Sequence, residues 1–223
     1  MAPGDFAELR KEDVENLLHQ LGSRLAARGL HADIYVVGGA AMVIGYNSER
    51  ATGDIDAILL PADVVLEEAH QMAEAQGLPD DWLNDNVKVT MPQLPDSAPR
   101  KVLDFPGVRV EVASPEYLLG MKATTSRMSQ RDKADASLLC RILGITDADA
   151  LMDTVYRSTG TPVQLEPRRW FFEEIVNDAM NLTPQFPVDV PGASRSAAGG
   201  CPHWMPRARR RCQLAAGHRG QHR

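Results

Sequence analysis

The sequence predicts an α/β domain in which a small mixed sheet is followed by a helical half. Short apolar runs alternate with helical stretches in the first half of the chain. The Pro106-Gly107 turn joins two of the apolar runs into a hairpin. From Ser114 to about residue 180 only helical patterning continues. This order of elements favours a sheet covered by helices.

The first elements surround a pair of glycines. Residues 11–28 carry apolar side chains at helical spacing, and Gly29 ends that predicted helix. Residues 33–37 form a short apolar strand that runs into the Gly38-Gly39 turn. A short buried helix is expected over 40–44.

The next stretch completes the predicted sheet. Residues 54–60 are a second strand, and Pro61 opens a helix that Gly77 closes. Residues 78–100 contain four prolines and are expected to be irregular. The hairpin strands cover 101–105 and 108–113.

The second half of the chain is predicted to be helical. Ser114-Pro115 is a good helix start, with serine as the cap and proline at the first position. The pattern continues to about residue 143 with a break near 124–129, and two more helices are expected near 147–158 and 166–180.

Charge and composition limit the class of protein. Hydrophobic residues make up 43% of the 223 residues, enough for a globular core. No apolar run approaches the roughly 18 residues of a membrane span. The N-terminus lacks the pattern of a secretory signal, so a cytoplasmic protein with no membrane partner is expected. Three cysteines argue against a disulfide framework, and Cys140 is expected in the core.

The net charge of −6 is unevenly distributed along the chain. Residues 192–223 hold seven arginines and no acidic residue, which gives that segment a charge of +7. The remaining 17 basic and 30 acidic residues leave 1–191 at −13. The basic segment could bind RNA phosphates or fold back on the acidic body.

Two aspartates on the second strand suggest metal chemistry. Asp54 and Asp56 are two residues apart, so their carboxylates share one face of a strand. They repel each other unless a divalent cation such as Mg²⁺ or Mn²⁺ lies between them. The Gly38-Gly39 turn would let backbone N–H groups approach a triphosphate. These parts suit attack on the α-phosphate of a nucleotide, although a strand edge with two exposed aspartates is the alternative.

The order of these residues resembles the signature of the nucleotidyltransferase superfamily, which has the polymerase-beta-like fold. That signature is a glycine pair followed, after ten to fifteen residues or so, by Asp-hydrophobic-Asp on a strand. Arg50 and Thr52, just ahead of Asp54-Ile-Asp56, resemble the abortive-infection and toxin–antitoxin branch. Related uncharacterised bacterial nucleotidyltransferases also share stretches like 81–84 and 115–122. The resemblance covers roughly residues 10–145.

The resemblance implies roles for further residues. Arg50 and Thr52 would belong to the nucleotide-binding site together with the two glycines. A neighbouring strand would supply a third carboxylate: Glu111 is the candidate and Asp104 the reserve, while a solvent-facing glutamate is an equally good interpretation of Glu111.

A lysine and an aspartate from the helical half would complete the nucleotide site. Lys122 would act on phosphate and Asp135 would help to bind nucleotide, with Arg131 and Asp132 nearby. Arg131-Asp132-Lys133 is otherwise typical of a solvated helix face, whereas the spacing of Asp135 from Leu138 and Leu139 turns it inward.

One residue departs from the superfamily pattern. Most of these enzymes have Gly-Ser where this chain has Gly38-Gly39, and the serine hydroxyl contacts a phosphate. Gly39 keeps only the backbone contact, so Ser48 or Thr52 would have to supply a hydroxyl.

The C-terminal segment has the composition of a metal-binding tail. Cys201, Cys212, His218 and His222 have the spacing C-x10-C-x5-H-x3-H, which suits tetrahedral Zn²⁺. His203 is an alternative ligand, and a basic tail without metal is the alternative interpretation. The expected organisation is a domain over 1–182, with its sheet at about 10–113 and its helical part at 114–182. A linker over 183–200 and the tail over 201–223 follow.

Three functions are compatible with these residues. The first is transfer of NMP from an NTP to an acceptor RNA such as tRNA, as a toxin controlled by an antitoxin protein. The second is transfer to a small molecule, as in aminoglycoside-modifying enzymes of the superfamily. The third is a catalytically degenerate domain that binds nucleotide or protein, which the departure at Gly39 motivates.

Overall fold

A computed structural model describes residues 8–47, 49–160 and 168–182. The expected linker over 183–200 and the expected zinc ligands of the tail lie outside the described residues, as does Ser48. Within the described part, the predicted α/β architecture is confirmed.

The helices and strands follow the predicted order closely. The strands are β1 (Ala32–Val36), β2 (Ile55–Leu60), β3 (Leu83–Asn84), β4 (Arg100–Phe105) and β5 (Val108–Val112). The helices are α1 (Lys11–Ala27), α2 (Gly38–Gly45), α3 (Ala62–Gln76), α4 (Pro115–Thr124), α5 (Gln130–Leu143), α6 (Ala148–Thr159) and α7 (Arg169–Asn181). A short 3-10 helix covers Asn86–Val89.

The strands form one mixed sheet in the order β3-β2-β1-β5-β4. The β1 strand is antiparallel to β2 and parallel to β5, while β3 is parallel to β2 and β4 is antiparallel to β5. The end of β1, the start of β2 and the end of β5 therefore meet at one edge of the sheet. Gly38 and Gly39, which we call the glycine pair, and Asp54 and Asp56, which we call the acidic pair, both lie at this edge.

Helix α1 packs closely on the hairpin. Its leucines are buried, and Gly22 lies so near β5 that an added Cβ would stand 3.2 Å from the Cβ of Val108. Gly107 turns the hairpin with φ +76°, in the left-handed region that favours glycine. The glycine on α1 and the glycine in the turn thus allow the helix to approach the sheet.

One local prediction was wrong. Residues 78–100 are not wholly irregular, because they contain β3 and the 3-10 helix. A two-residue strand is too short to show an alternating pattern. At the glycine pair the chain turns with φ +63° at Gly38, and α2 begins there, two residues ahead of the expected helix.

The helical half is delimited by its caps, as the sequence indicates. Ser114 Oγ accepts a hydrogen bond from Tyr117 N at 3.2 Å, and Ser129 Oγ accepts one from Asp132 N at 3.0 Å. The break between α4 and α5 falls in the predicted interval. No helix of the described residues is long and apolar enough to cross a membrane.

Candidate active site

The glycine pair and the acidic pair are in contact. The backbone N–H of Val37 donates to the Asp56 carbonyl at 2.9 Å, which brings the start of α2 against the start of β2. Gly38 has φ +63°, and a Cβ at this residue would stand 2.9 Å from Asp56 Oδ2. Gly38 is therefore required both by its backbone conformation and by the proximity of the carboxylate.

The acidic pair concentrates negative charge at the sheet edge. Partial burial raises the pKa of Asp54, and the neighbouring carboxylates of Asp56 and Asp81 raise it further. The Asn84 amide and the charge of Arg127 act in the opposite direction, but they do not outweigh the burial and the repulsion. A positive ion beside Asp54 would relieve this repulsion.

Two carboxylates suit Mg²⁺ bound together with a substrate. Mg²⁺ is usually held by one or two carboxylates plus waters and substrate phosphates, not by a complete protein cage. Across residues 8–47, 49–160 and 168–182, no group of three or more His, Cys, Asp or Glu residues could hold a metal ion. The acidic pair would thus need phosphate or water to complete the coordination.

Glu111, the expected third carboxylate, lies on the same face of the sheet but two strands away. It pairs with Tyr35, which in turn pairs with Ile58, two residues beyond Asp56. Its Oε1 accepts a hydrogen bond from Arg109 Nη2 at 2.6 Å. The structure does not join Glu111 to the acidic pair, and its catalytic role stays a prediction.

Asp104, the reserve candidate for the third carboxylate, lies farther from the acidic pair. It pairs with Arg109, on the side of Glu111 away from the edge that carries the acidic pair. Its catalytic role likewise stays a prediction.

Thr52 occupies the space beside Gly39. A Cβ at residue 39 would overlap Thr52 Oγ1 and would stand 3.8 Å from Arg50 Nη2. The Thr52 hydroxyl donates to the Asp54 carbonyl at 3.2 Å, and Thr52 is buried. The hydroxyl of Thr52 therefore lies next to the position from which a serine side chain at residue 39 would extend.

Three buried charges and the partly buried Arg50 connect this region to the helical half. Lys122 Nζ lies 2.9 Å from Asp132 Oδ1 and 3.0 Å from Asp135 Oδ2. Arg50 Nη1 lies 2.6 Å from the same Oδ2 of Asp135. We call Arg50, Lys122, Asp132 and Asp135 the buried charge network. The structure brings together Arg50, Lys122 and Asp135, and Asp132, which was expected nearby, contacts Lys122.

The two carboxylates of the buried charge network differ in their protonation equilibria. Burial raises the pKa of Asp135, although Lys122 and Arg50 oppose this effect. Burial acts in the same direction on Asp132, but hydrogen bonds from Ser129 and Lys122 outweigh it and lower the pKa of Asp132. The two hydrogen bonds thus keep Asp132 ionised beside Lys122.

The sequence did not indicate a site role for Asp81, Asn84 or Arg127, and it placed Asp132 near the site without giving it a role. The stretch from Asp81 to Asn84 entered only as part of a resemblance, and Asp132 was placed in a charged run typical of a solvated face. The serine at the cap of α5, three residues ahead of Asp132, is the signal that could have placed this aspartate. No sequence pattern marks Arg127.

Comparison with known proteins supports the resemblance to nucleotidyltransferases at the level of the family. A family model described as "Nucleotidyltransferase of unknown function (DUF6036)" matches residues 13–175. The match covers nearly three quarters of the chain and includes the glycine pair, the acidic pair and the buried charge network. No curated protein and no solved structure matches the sequence.

Proposed function

The chain belongs to this family of nucleotidyltransferases, and from that premise we propose that it moves NMP from an NTP to an acceptor with the help of Mg²⁺ or Mn²⁺. The observation that carries the proposal is the close approach of the Asp56 carboxylate to Gly38, where an added Cβ would stand 2.9 Å from Oδ2. It puts the N-terminus of α2, which favours anions, beside a pair of carboxylates that favours a cation. A metal–triphosphate complex carries both charges.

In the proposed reaction an acceptor oxygen attacks the α-phosphorus and pyrophosphate leaves, while the acceptor's proton passes to solvent. Asp54 and Asp56 hold the divalent ion, which supplies charge neutralisation and activation of the attacking oxygen. The backbone N–H groups of Gly38 and Gly39 bind phosphate oxygens. Glu111 is the proposed third carboxylate. It lies on β5, and β1 separates it from the strand that carries Asp56.

The buried charge network would hold the nucleotide from the side of the helical half. Lys122 already contacts two carboxylates. A phosphate would therefore have to share Lys122 with them or replace one of them. Arg50 and Asp135 would also contact the nucleotide, and the ion pair between them holds both side chains in place. Thr52 would supply the hydroxyl that Gly39 lacks. The absence of a serine at residue 39 is then no longer a reason to expect a catalytically degenerate domain.

For the acceptor we propose RNA, with the 3′ end of tRNA as the form implied by the toxin-like branch. The arginine-rich segment over 192–223 supports this choice, because it would attract phosphates to an otherwise acidic chain. A toxin role, an antitoxin partner, a cytoplasmic location and Zn²⁺ in the tail belong to the same proposal. The charge of −13 over 1–191 favours a second candidate, a small cationic acceptor.

The test is transfer of label from each α-labelled NTP to total bacterial RNA in the presence of Mg²⁺. Asp56→Ala should abolish transfer, while Asp153→Ala, which removes an exposed aspartate of α6, should leave it unchanged. Pyrophosphate release with small amines, and no label on RNA, would favour the second candidate. Undiminished transfer by Asp56→Ala would overturn the proposed site.

A further inference from the structure

Asn84 is a buried polar residue of the edge strand, and the reaction proposed above gives it no role. Its backbone pairs with Asp56 in the parallel register of β2 and β3, and its side chain is buried. The β3 strand is anchored to α3, because Nε1 of Trp82, the residue just before β3, donates to the Ala69 carbonyl at 3.0 Å. Asn84 therefore has a defined position beside the acidic pair.

The hydrogen bonds of Asn84 fix which way its amide faces. The backbone N–H of Asn86 can only donate, and it lies 3.1 Å from Asn84 Oδ1. The amide oxygen must face Asn86, so the NH₂ group faces the other way. There Nδ2 lies 3.4 Å from Asp54 Oδ2 and 3.4 Å from the Asp81 carbonyl oxygen.

This contact orients a carboxylate without neutralising it. A lysine or arginine in place of Asn84 would form an ion pair with Asp54 and would compete with a metal ion for the carboxylate. The neutral amide instead contacts Oδ2 and leaves the negative charge of Asp54 beside Asp56. Carboxylates that bind metal ions are themselves commonly held in place by hydrogen bonds from neighbouring groups.

We propose that Asn84 is a positioning residue that holds the Asp54 carboxylate in the orientation in which the acidic pair binds a divalent cation. This inference rests on the proposed function, since it requires a cation at Asp54 and Asp56. The edge strand β3 then has a purpose beyond extending the sheet, because it places one amide against one carboxylate.

The test is a thermal-unfolding titration of the full chain with Mg²⁺ alone, which reads metal binding without any transfer reaction. The half-saturating Mg²⁺ concentration is compared for the wild type, Asn84→Ala and Asn86→Ala. Asn86 is the matched control, because its side chain is exposed and its bond to Asn84 comes from the backbone. The half-saturating concentration should rise about 10- to 100-fold in Asn84→Ala and stay at the wild-type value in Asn86→Ala.

A structural role alone would lower the unfolding temperature of metal-free Asn84→Ala without moving the half-saturating concentration, and that result would overturn the inference. If Asn84→Ala does not fold, Asn84→Ser answers the same question, because its hydroxyl is too short to span the distance to Asp54 and the same rise is expected. If the wild type responds to Mg²⁺ and a folded Asn84 variant matches it, only the inference fails. If the wild type shows no response to Mg²⁺, the proposed metal site fails and the inference fails with it.

Discussion

At the scale of single residues, Gly39 and Thr52 compete for one space. The overlap of an added Cβ with Thr52 Oγ1 explains why glycine follows glycine where most superfamily members have serine. A hydroxyl in this chain lies beside residue 39, and it belongs to a residue thirteen positions later, on the segment that leads into β2. In the sequence motif, Gly39 looks like a missing serine. In the structure, the Thr52 hydroxyl lies beside residue 39.

We therefore expect Gly39→Ser and Thr52→Ala to be coupled. Gly39→Ser alone should destabilise the fold by about 1–3 kcal/mol, the usual cost of overpacking. Adding Thr52→Ala should recover most of that stability, since it removes the hydroxyl that the new side chain meets. Urea unfolding of both single variants and the double variant measures the coupling, and simple additivity of the two effects would contradict the shared-space explanation.

Asp54 is expected to lower the stability of the metal-free protein. Its pKa is raised in the folded state, so the ionised carboxylate costs stability in full above the folded pKa, and that cost is lost as the pH falls through the folded pKa to the unfolded value. Asp54→Asn should thus stabilise the metal-free chain at neutral pH by about 0.5 kcal/mol, the size of a partly exposed charge interaction. Unfolding curves from neutral to acid pH measure this gain, which should fade toward low pH. A constant gain across that range would argue against the electrostatic cause.

At the scale of elements, the sequence predicted most of the fold because hydrophobic periods and caps are local signals. The α3 helix between Pro61 and Gly77 and the Ser114 cap of α4 appear where they were expected. The β3 strand was missed, because its position depends on pairing with β2 and on the burial of Trp82, neither of which is a local property. The same reason hid Asn84, whose neighbour Asp54 is thirty residues away.

Trp82 is expected to anchor β3. The side chain is fully buried and its indole N–H donates to the Ala69 carbonyl, so Trp82→Ala removes a large apolar side chain and leaves a cavity. The expected loss is about 3–5 kcal/mol in the free energy of unfolding. Trp82→Phe keeps most of the volume and should cost less. Chemical denaturation of the two variants checks the order, and equal stability of wild type and Trp82→Ala would show that β3 is not anchored in this way.

At the scale of the whole molecule, the buried charge network joins the sheet half to the helical half. Arg50 comes from the segment ahead of β2, Lys122 from α4 and the two aspartates from α5. The sequence could suggest Lys122 and Asp135 through a resemblance, but their meeting with Arg50 depends on the packing of distant segments. These contacts tie the edge of the sheet that carries Asp54 and Asp56 to the helices.

Lys122→Met should therefore have a stability effect as well as a catalytic one. It leaves two buried carboxylates with fewer positive partners, and breaking a buried ion pair from one side typically costs about 3–5 kcal/mol. Lys133→Met, on α5, removes a lysine whose partners Glu174 and Asp178 are exposed, and it should cost at most about 1 kcal/mol. Differential scanning calorimetry distinguishes the two, and equal small losses would mean that the network contributes little.

The central claim is that Asp54 and Asp56 bind a metal–nucleotide complex, and its most direct measurement needs no acceptor. The unfolding temperature of the wild type and of Asp56→Asn is measured with Mg²⁺, with NTP and with both together. The account predicts that both ligands together stabilise the wild type, by about 2.7 kcal/mol when the complex is at 100 times its dissociation constant, and that this stabilisation is lost in Asp56→Asn. The same stabilisation in Asp56→Asn would contradict the account, because nucleotide would then bind without the acidic pair.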